Sequence, residues 1–134
     1  MKNYILLFTL LLVLATSCKK DDFDFTENII GKWKWIETTS AWTGIKYTPE
    51  SEGYTQTSVY RADSVAEFYK NNELISSTSF RVITYEYFAQ SSSGSIVTTL
   101  EIDNEEIPFF IQNNTLFIGS AYTDGPTSIF KRVE

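Results

Sequence analysis

Polar and apolar positions alternate through "KWKWIETT", placing Trp33 and Trp35 on one face and Lys32 and Lys34 on the other. A period of two is the mark of a half-buried strand. The same reading extends down the chain. "YTQTSVYR", "VAEFYK", "LISSTSFRVITYEYF" and "SIVTTLEI" are rich in β-branched and aromatic residues, and the shorter "IPFFI", "TLFIG" and "SIFKRV" follow. Turn-forming residues punctuate them at "RADS", "KNNE", "QSSSG", "DNEE", "QNNT" and "TDGP". Asn71-Asn72 and Asn113-Asn114 suit tight hairpins, because asparagine tolerates positive φ better than most residues. The one helical candidate is a short N-terminal turn at "FTENII", with Thr26 as its cap. The pattern predicts an all-β domain, an antiparallel up-and-down barrel of about eight strands, since closure removes the edges an open meander would expose. A two-sheet sandwich is the alternative.

The first 17 residues have a different character. "YILLFTLLLVLA", Tyr4–Ala15, carries no charge and follows a short start containing Lys2. It is too short to span a bilayer and has the proportions of a signal-peptide core. It leads to Cys18, the only cysteine. A disulfide has no second cysteine within the chain, and a zinc site or a catalytic thiol normally needs histidine, of which there is none. Ala15-Thr16-Ser17-Cys18 resembles the bacterial lipobox, with alanine where that pattern usually has leucine. The resemblance implies that Cys18 becomes the first residue after cleavage and carries a lipid anchor of three acyl chains. "KKDDF" directly after it resembles the export signal of surface lipoproteins in one group of Gram-negative bacteria, carried here by Lys20, Asp21 and Asp22. A charged tether spacing the domain from the membrane is the plainer alternative. The expected organisation is a signal peptide at 1–17, a lipidated tether at 18–27 and one domain at 28–134, anchored to the outer membrane and displayed at the cell surface.

Charge narrows the partners. Cleavage removes Lys2, which moves the formal net charge from −6 to −7. An acidic domain is not drawn to an anionic lipid surface, and no stretch supplies the basic stripe that nucleic acid requires. The anchor is thus the expected membrane contact, and protein partners are left open.

Within the domain, "FTENII" followed by Gly31-Lys32-Trp33 resembles the lipocalin G-x-W signature. The likeness runs over most of the chain after the tether and is nearest to bacterial lipocalin-like lipoprotein domains. Tyr47–Asp63 is similar to their first long loop and second strand, and Ile129–Val133 to their last strand. The resemblance implies that Trp33 closes the barrel floor and that a basic residue of the last strand, Arg132 or else Lys131, lies across it. It also implies a small hydrophobic or amphipathic ligand inside the barrel. Arginine and tyrosine clamp a carboxylate in fatty-acid-binding relatives, which nominates Arg61, Arg81, Tyr60, Tyr85 and Tyr87 as ligand contacts. The competing assignment has both arginines in solvent, paired with acids such as Asp63 or Glu86. A barrel filled by its own side chains, serving as a surface interaction module, is the alternative function.

No catalytic residue, metal ligand or cofactor is expected. Without histidine the usual nucleophile–base pairs cannot be assembled, and no glycine-rich phosphate loop is present. The acid-dense "EIDNEE" lacks the order of a calcium loop and reads as a solvated turn. Asp63-Ser64-Val65 resembles a bacterial O-glycosylation acceptor, but a turn acid followed by the start of a strand is the preferred reading.

Overall fold

The computed structural model describes residues 29–87, 95–119 and 125–133. Cys18, Lys20, Asp21, Asp22, the signal peptide and the tether lie outside the described residues, as does the N-terminal helical turn apart from Ile29 and Ile30. The strands are β1 (Gly31–Thr39), β2 (Lys46–Tyr47), β3 (Gln56–Tyr60), β4 (Val65–Lys70), β5 (Glu73–Tyr87), β6 (Ser95–Ile102), β7 (Glu105–Gln112), β8 (Thr115–Gly119) and β9 (Thr127–Val133). A short helix, α1 (Pro49–Glu52), interrupts the loop after β2. Strands β3 to β9 run as an antiparallel meander from β1, and β1 pairs back onto β9, closing a barrel of eight principal strands. The two-residue β2 is an accessory strip on the end of β1.

The hairpins form where the asparagines demand. Asn71-Asn72, Asp103-Asn104 and Asn113-Asn114 all have positive φ, the paired left-handed geometry that matches the twist of two-residue hairpins. Two bulges disturb the ladders, between Trp35 and Glu37 on β1 and opposite Phe68 and Tyr69 on β5. The second leaves Leu74 and Ile75 both exposed although they open a strand.

Tracing Cα partners around the barrel from Trp33 returns to β1 displaced by about a dozen residues. Such a stagger tilts the strands steeply and widens the interior. With the tilt included, each strand contributes one residue to a single level: Trp33, Tyr60, Ala66, Phe80, Leu100, Phe109, Leu116 and Phe130. All eight are buried. Tyr60 sets its ring edge-on to Phe80 at 5.2 Å and to Phe68 at 6.4 Å, geometries that aromatic quadrupoles favour. This level is a solid plug.

Below it the chain enters across the floor. Trp33 Nε1 donates to the Ile29 carbonyl at 2.7 Å, so the buried indole is satisfied by the segment that precedes its strand. The Arg132 guanidinium stacks over the Trp33 ring at 4.1 Å and donates to the Ile30 carbonyl at 2.7 Å. Gly31 is what makes room: a Cβ there would lie 2.5 Å from an Arg132 terminal nitrogen. Gly31, Trp33 and Arg132 thus meet at the closed end as one unit, with Arg132 rather than Lys131 across the indole.

Tyr60 gives the plug a pH dependence. Burial pushes its phenol well above the ordinary tyrosine range, and a bond to Ser58 offsets only part of that. A folded-state pKa above the unfolded one means stability that is complete below about pH 10 and is lost as pH rises, by about 1.4 kcal/mol per pH unit. Urea unfolding at about pH 9 and about pH 11 is expected to show this loss in the wild type and a shallower one in Tyr60→Phe.

Candidate functional site

Two residues further along each strand, above the plug, lies the next inward level. It consists of Trp35, Ser58, Phe68, Thr78, Ile102, Ile107, Ile118 and Ser128. Trp35 and Ser58 are buried, but the other six point inward while keeping part of their surface accessible. The packed level thus lies beneath a ring of less completely covered side chains at the open end of the barrel, termed the cup, with the packed level as its floor and this ring as its wall. Apolar surface with a few convergent polar groups is the ordinary composition of a small-molecule site.

The polar groups of the wall are held by neighbours. Trp35 Nε1 donates to Thr38 Oγ1 at 2.9 Å, and Thr38 and Ser128 share a hydroxyl–hydroxyl bond of 2.8 Å between the first and last strands. Thr78 Oγ1 donates to Asp103 Oδ1 at 2.6 Å, tying β5 to the β6–β7 hairpin. At the rim, Tyr54 stacks on Trp35 with ring centroids 5.8 Å apart, and Lys70 Nζ lies 4.0 Å from the Tyr54 centroid. An aromatic pair thus climbs from the wall to a cation at the mouth, with Gln56 beside Lys70 in the β3–β4 register.

The mouth loop is shaped locally. Thr48 caps α1 through Ser51 in a reciprocal capping box, and Gly53 ends it in the left-handed conformation. Thr55 then exchanges hydrogen bonds with Asn71 at 2.9 Å each, fixing the loop to the β4–β5 hairpin. Trp42, 82% exposed, and Ile45 project from the same loop.

The residues nominated from sequence do not converge here. Arg61 lies on the outer surface, donating to Asp63 at 2.9 Å and to Glu67 at 3.2 Å, and these acids raise its pKa further. Arg81, also outward, makes a two-pronged bond to Glu101 at 2.7 and 2.9 Å. Tyr85 is outward and donates to Glu106 at 2.8 Å, a bond that lifts its pKa above the ordinary value. Strand alternation is the cause: Phe80 and Val82 turn inward, so Arg81 between them turns out. Tyr60 is inward, but in the plug. The Tyr87 backbone pairs with Ser95 at the end of β5, and its side chain lies outside what the structure describes. A carboxylate clamp from Arg61 and Arg81 is therefore replaced by outward ion pairs.

Lys70, Gln56, Tyr54, Thr78 and Ser128 were not nominated. Alternation of Phe68 and Lys70 in "VAEFYK" was the available signal for one of them; the rest depended on register.

Elsewhere on the outer wall, a shallow groove of about 370 Å³ is lined by Lys32, Thr57, Val59, Glu67, Tyr69 and Asn72, its Glu67 already engaged by Arg61 and Tyr69. Among the described residues no group of three His, Cys, Asp or Glu side chains is placed to hold a metal ion. No protein-family model and no curated protein matches the chain.

Proposed function

We propose that this protein is a lipid-anchored, lipocalin-like module that holds a small amphipathic molecule in the cup, its apolar part against the wall and its polar part at the rim. The observation that carries the reading is the level above the plug, where Phe68, Ile102, Ile107 and Ile118 face inward yet stay partly accessible. Apolar side chains on an inner wall gain about 25 cal/mol for each Å² taken out of water, so a ligand that covers them binds favourably. Lys70 above the Tyr54 ring supplies a donor for an acidic or hydroxylated head.

The anchor and its address rest on the sequence around Cys18 and on Lys20, Asp21 and Asp22. In this reading the tether joins the barrel at the floor, through Ile29 and Ile30, so the mouth opens at the end away from the membrane.

Native mass spectrometry of residues 26–134, incubated with a lipid and metabolite extract of the producing cell, tests the ligand. The expected result is a discrete added mass that is lost in Ile107→Trp, which fills the cup, and retained in Arg61→Ala and Arg81→Ala. A clean apo mass across extracts, or an adduct that Ile107→Trp leaves untouched, defeats the proposal.

A further inference from the structure

The outer wall carries an apolar band that the cup does not explain. Phe110 on β7 stacks on Phe117 on β8, centroids 4.4 Å apart and planes within 8°. Phe117 is level with Ile129 on β9, and Ile129 with the bulged turn of β1 where Ile36 stands 42% exposed. Pro108 continues the band along β7. Phe110 itself is 44% exposed. Phe117 is half-buried beneath this stack, so Phe110 and Ile36 carry most of the apolar surface that the band leaves in water.

Charge flanks the band at two opposite corners. At one, Lys34 and Lys131 are directly opposed on β1 and β9. Like charges so placed repel and destabilise a sheet. Glu50 is the acid that interacts with Lys34. At the diagonally opposite corner Glu106, two residues from Pro108 on the same face, is exposed and accepts the Tyr85 hydroxyl, while the Arg81 nearby makes its ion pair with Glu101. Phe117 lies near the midpoint between the two corners.

We infer that this band is a self-association surface, and that its occupant is a second copy of the same chain. A two-fold axis lying in the surface at Phe117, perpendicular to the line joining the corners, sets Phe117 against its counterpart. The same rotation lays Lys34 and Lys131 of each copy on Glu106 of the other. Only a face with its charges at opposite ends complements itself in this way, as an isologous interface requires. The repulsion between the opposed lysines is then offset by an acid from across the interface.

Sedimentation velocity of the full chain in a non-ionic detergent, over a range of protein concentrations, tests the surface. The wild type is expected to show a reversible monomer–dimer equilibrium. Phe110→Glu is expected to weaken it by about tenfold or more, as removal of a central aromatic does. Lys34→Glu/Lys131→Glu together, and Glu106→Lys alone, are each expected to weaken self-association, because like charges then meet at both corners. Mixing those two variants is expected to restore pairing as a heterodimer, which also shows that both fold. Monomers at every concentration, or an association indifferent to Phe110→Glu, overturn the surface. Dimers that the mixed charge variants fail to re-form overturn the two-fold arrangement.

Discussion

Trp33→Ala is expected to lower the stability of the domain by about 3–5 kcal/mol, the range for truncating a large buried aromatic. The reasons are additive at one site. The indole is fully buried in the eight-residue plug, so its removal leaves a cavity that seven neighbours on separate strands cannot all collapse into. Its Nε1 bond to the Ile29 carbonyl disappears, which frees the entry segment from the floor. The Arg132 guanidinium loses the ring it lies on, while remaining bonded to Ile30. Domains of this size have stabilities of about 5–15 kcal/mol, so the variant is left with a small margin. Urea denaturation followed by tryptophan fluorescence measures it, since Trp35 still reports. A loss below about 1 kcal/mol would mean that the plug reorganises around the gap.

Gly119→Ala carries the second largest expected effect, and it arises from backbone. Gly119 has φ +113, a region that L side chains rarely adopt, and a Cβ there would collide with the Pro126 carbonyl oxygen. The strain alone costs about 1–3 kcal/mol, and the collision is with main chain that cannot rotate away. The β8–β9 ladder must therefore open at Gly119 and Thr127. Ile118 and Ser128, the next pair along, belong to the cup wall, so ligand binding is expected to fall together with the melting temperature. A variant that melts as the wild type does would show that the chain can pass Pro126 by another route.

Local chemistry made much of the architecture legible. Alternation in "KWKWIETT" gave β1 its inward tryptophans, and the paired asparagines marked two of the hairpins in place. The floor was foreshadowed by the resemblance of Gly31-Lys32-Trp33 to a G-x-W signature, which left Arg132 and Lys131 both open for the residue across the indole. The cup was not. Which residues share a level depends on the stagger of eight strands, a quantity no single segment encodes. "SFRVITYEY" mixes polar and apolar residues on both faces, so alternation places Arg81 outside only once pairing with Ile102 and Leu100 has turned Phe80 and Val82 inward. Bulges add to this. The extra residue opposite Phe68 and Tyr69 breaks the alternation of β5, and so the adjacent apolar residues Leu74 and Ile75 are both exposed.

The pairing of β1 with β9 also has a kinetic consequence. Lys32 pairs with Val133 near the other end of the described residues, so the loop this pairing closes is nearly the whole domain. Contacts of such sequence separation slow folding, because the entropy of closure is lost before the contact repays it. Until the last strand arrives, β1 presents an unpaired edge and two uncovered indoles, the kind of surface on which nascent chains aggregate. The completion of the ring, which gives the barrel its rigidity, is therefore also the stage at which the protein depends most on being kept apart from its own kind.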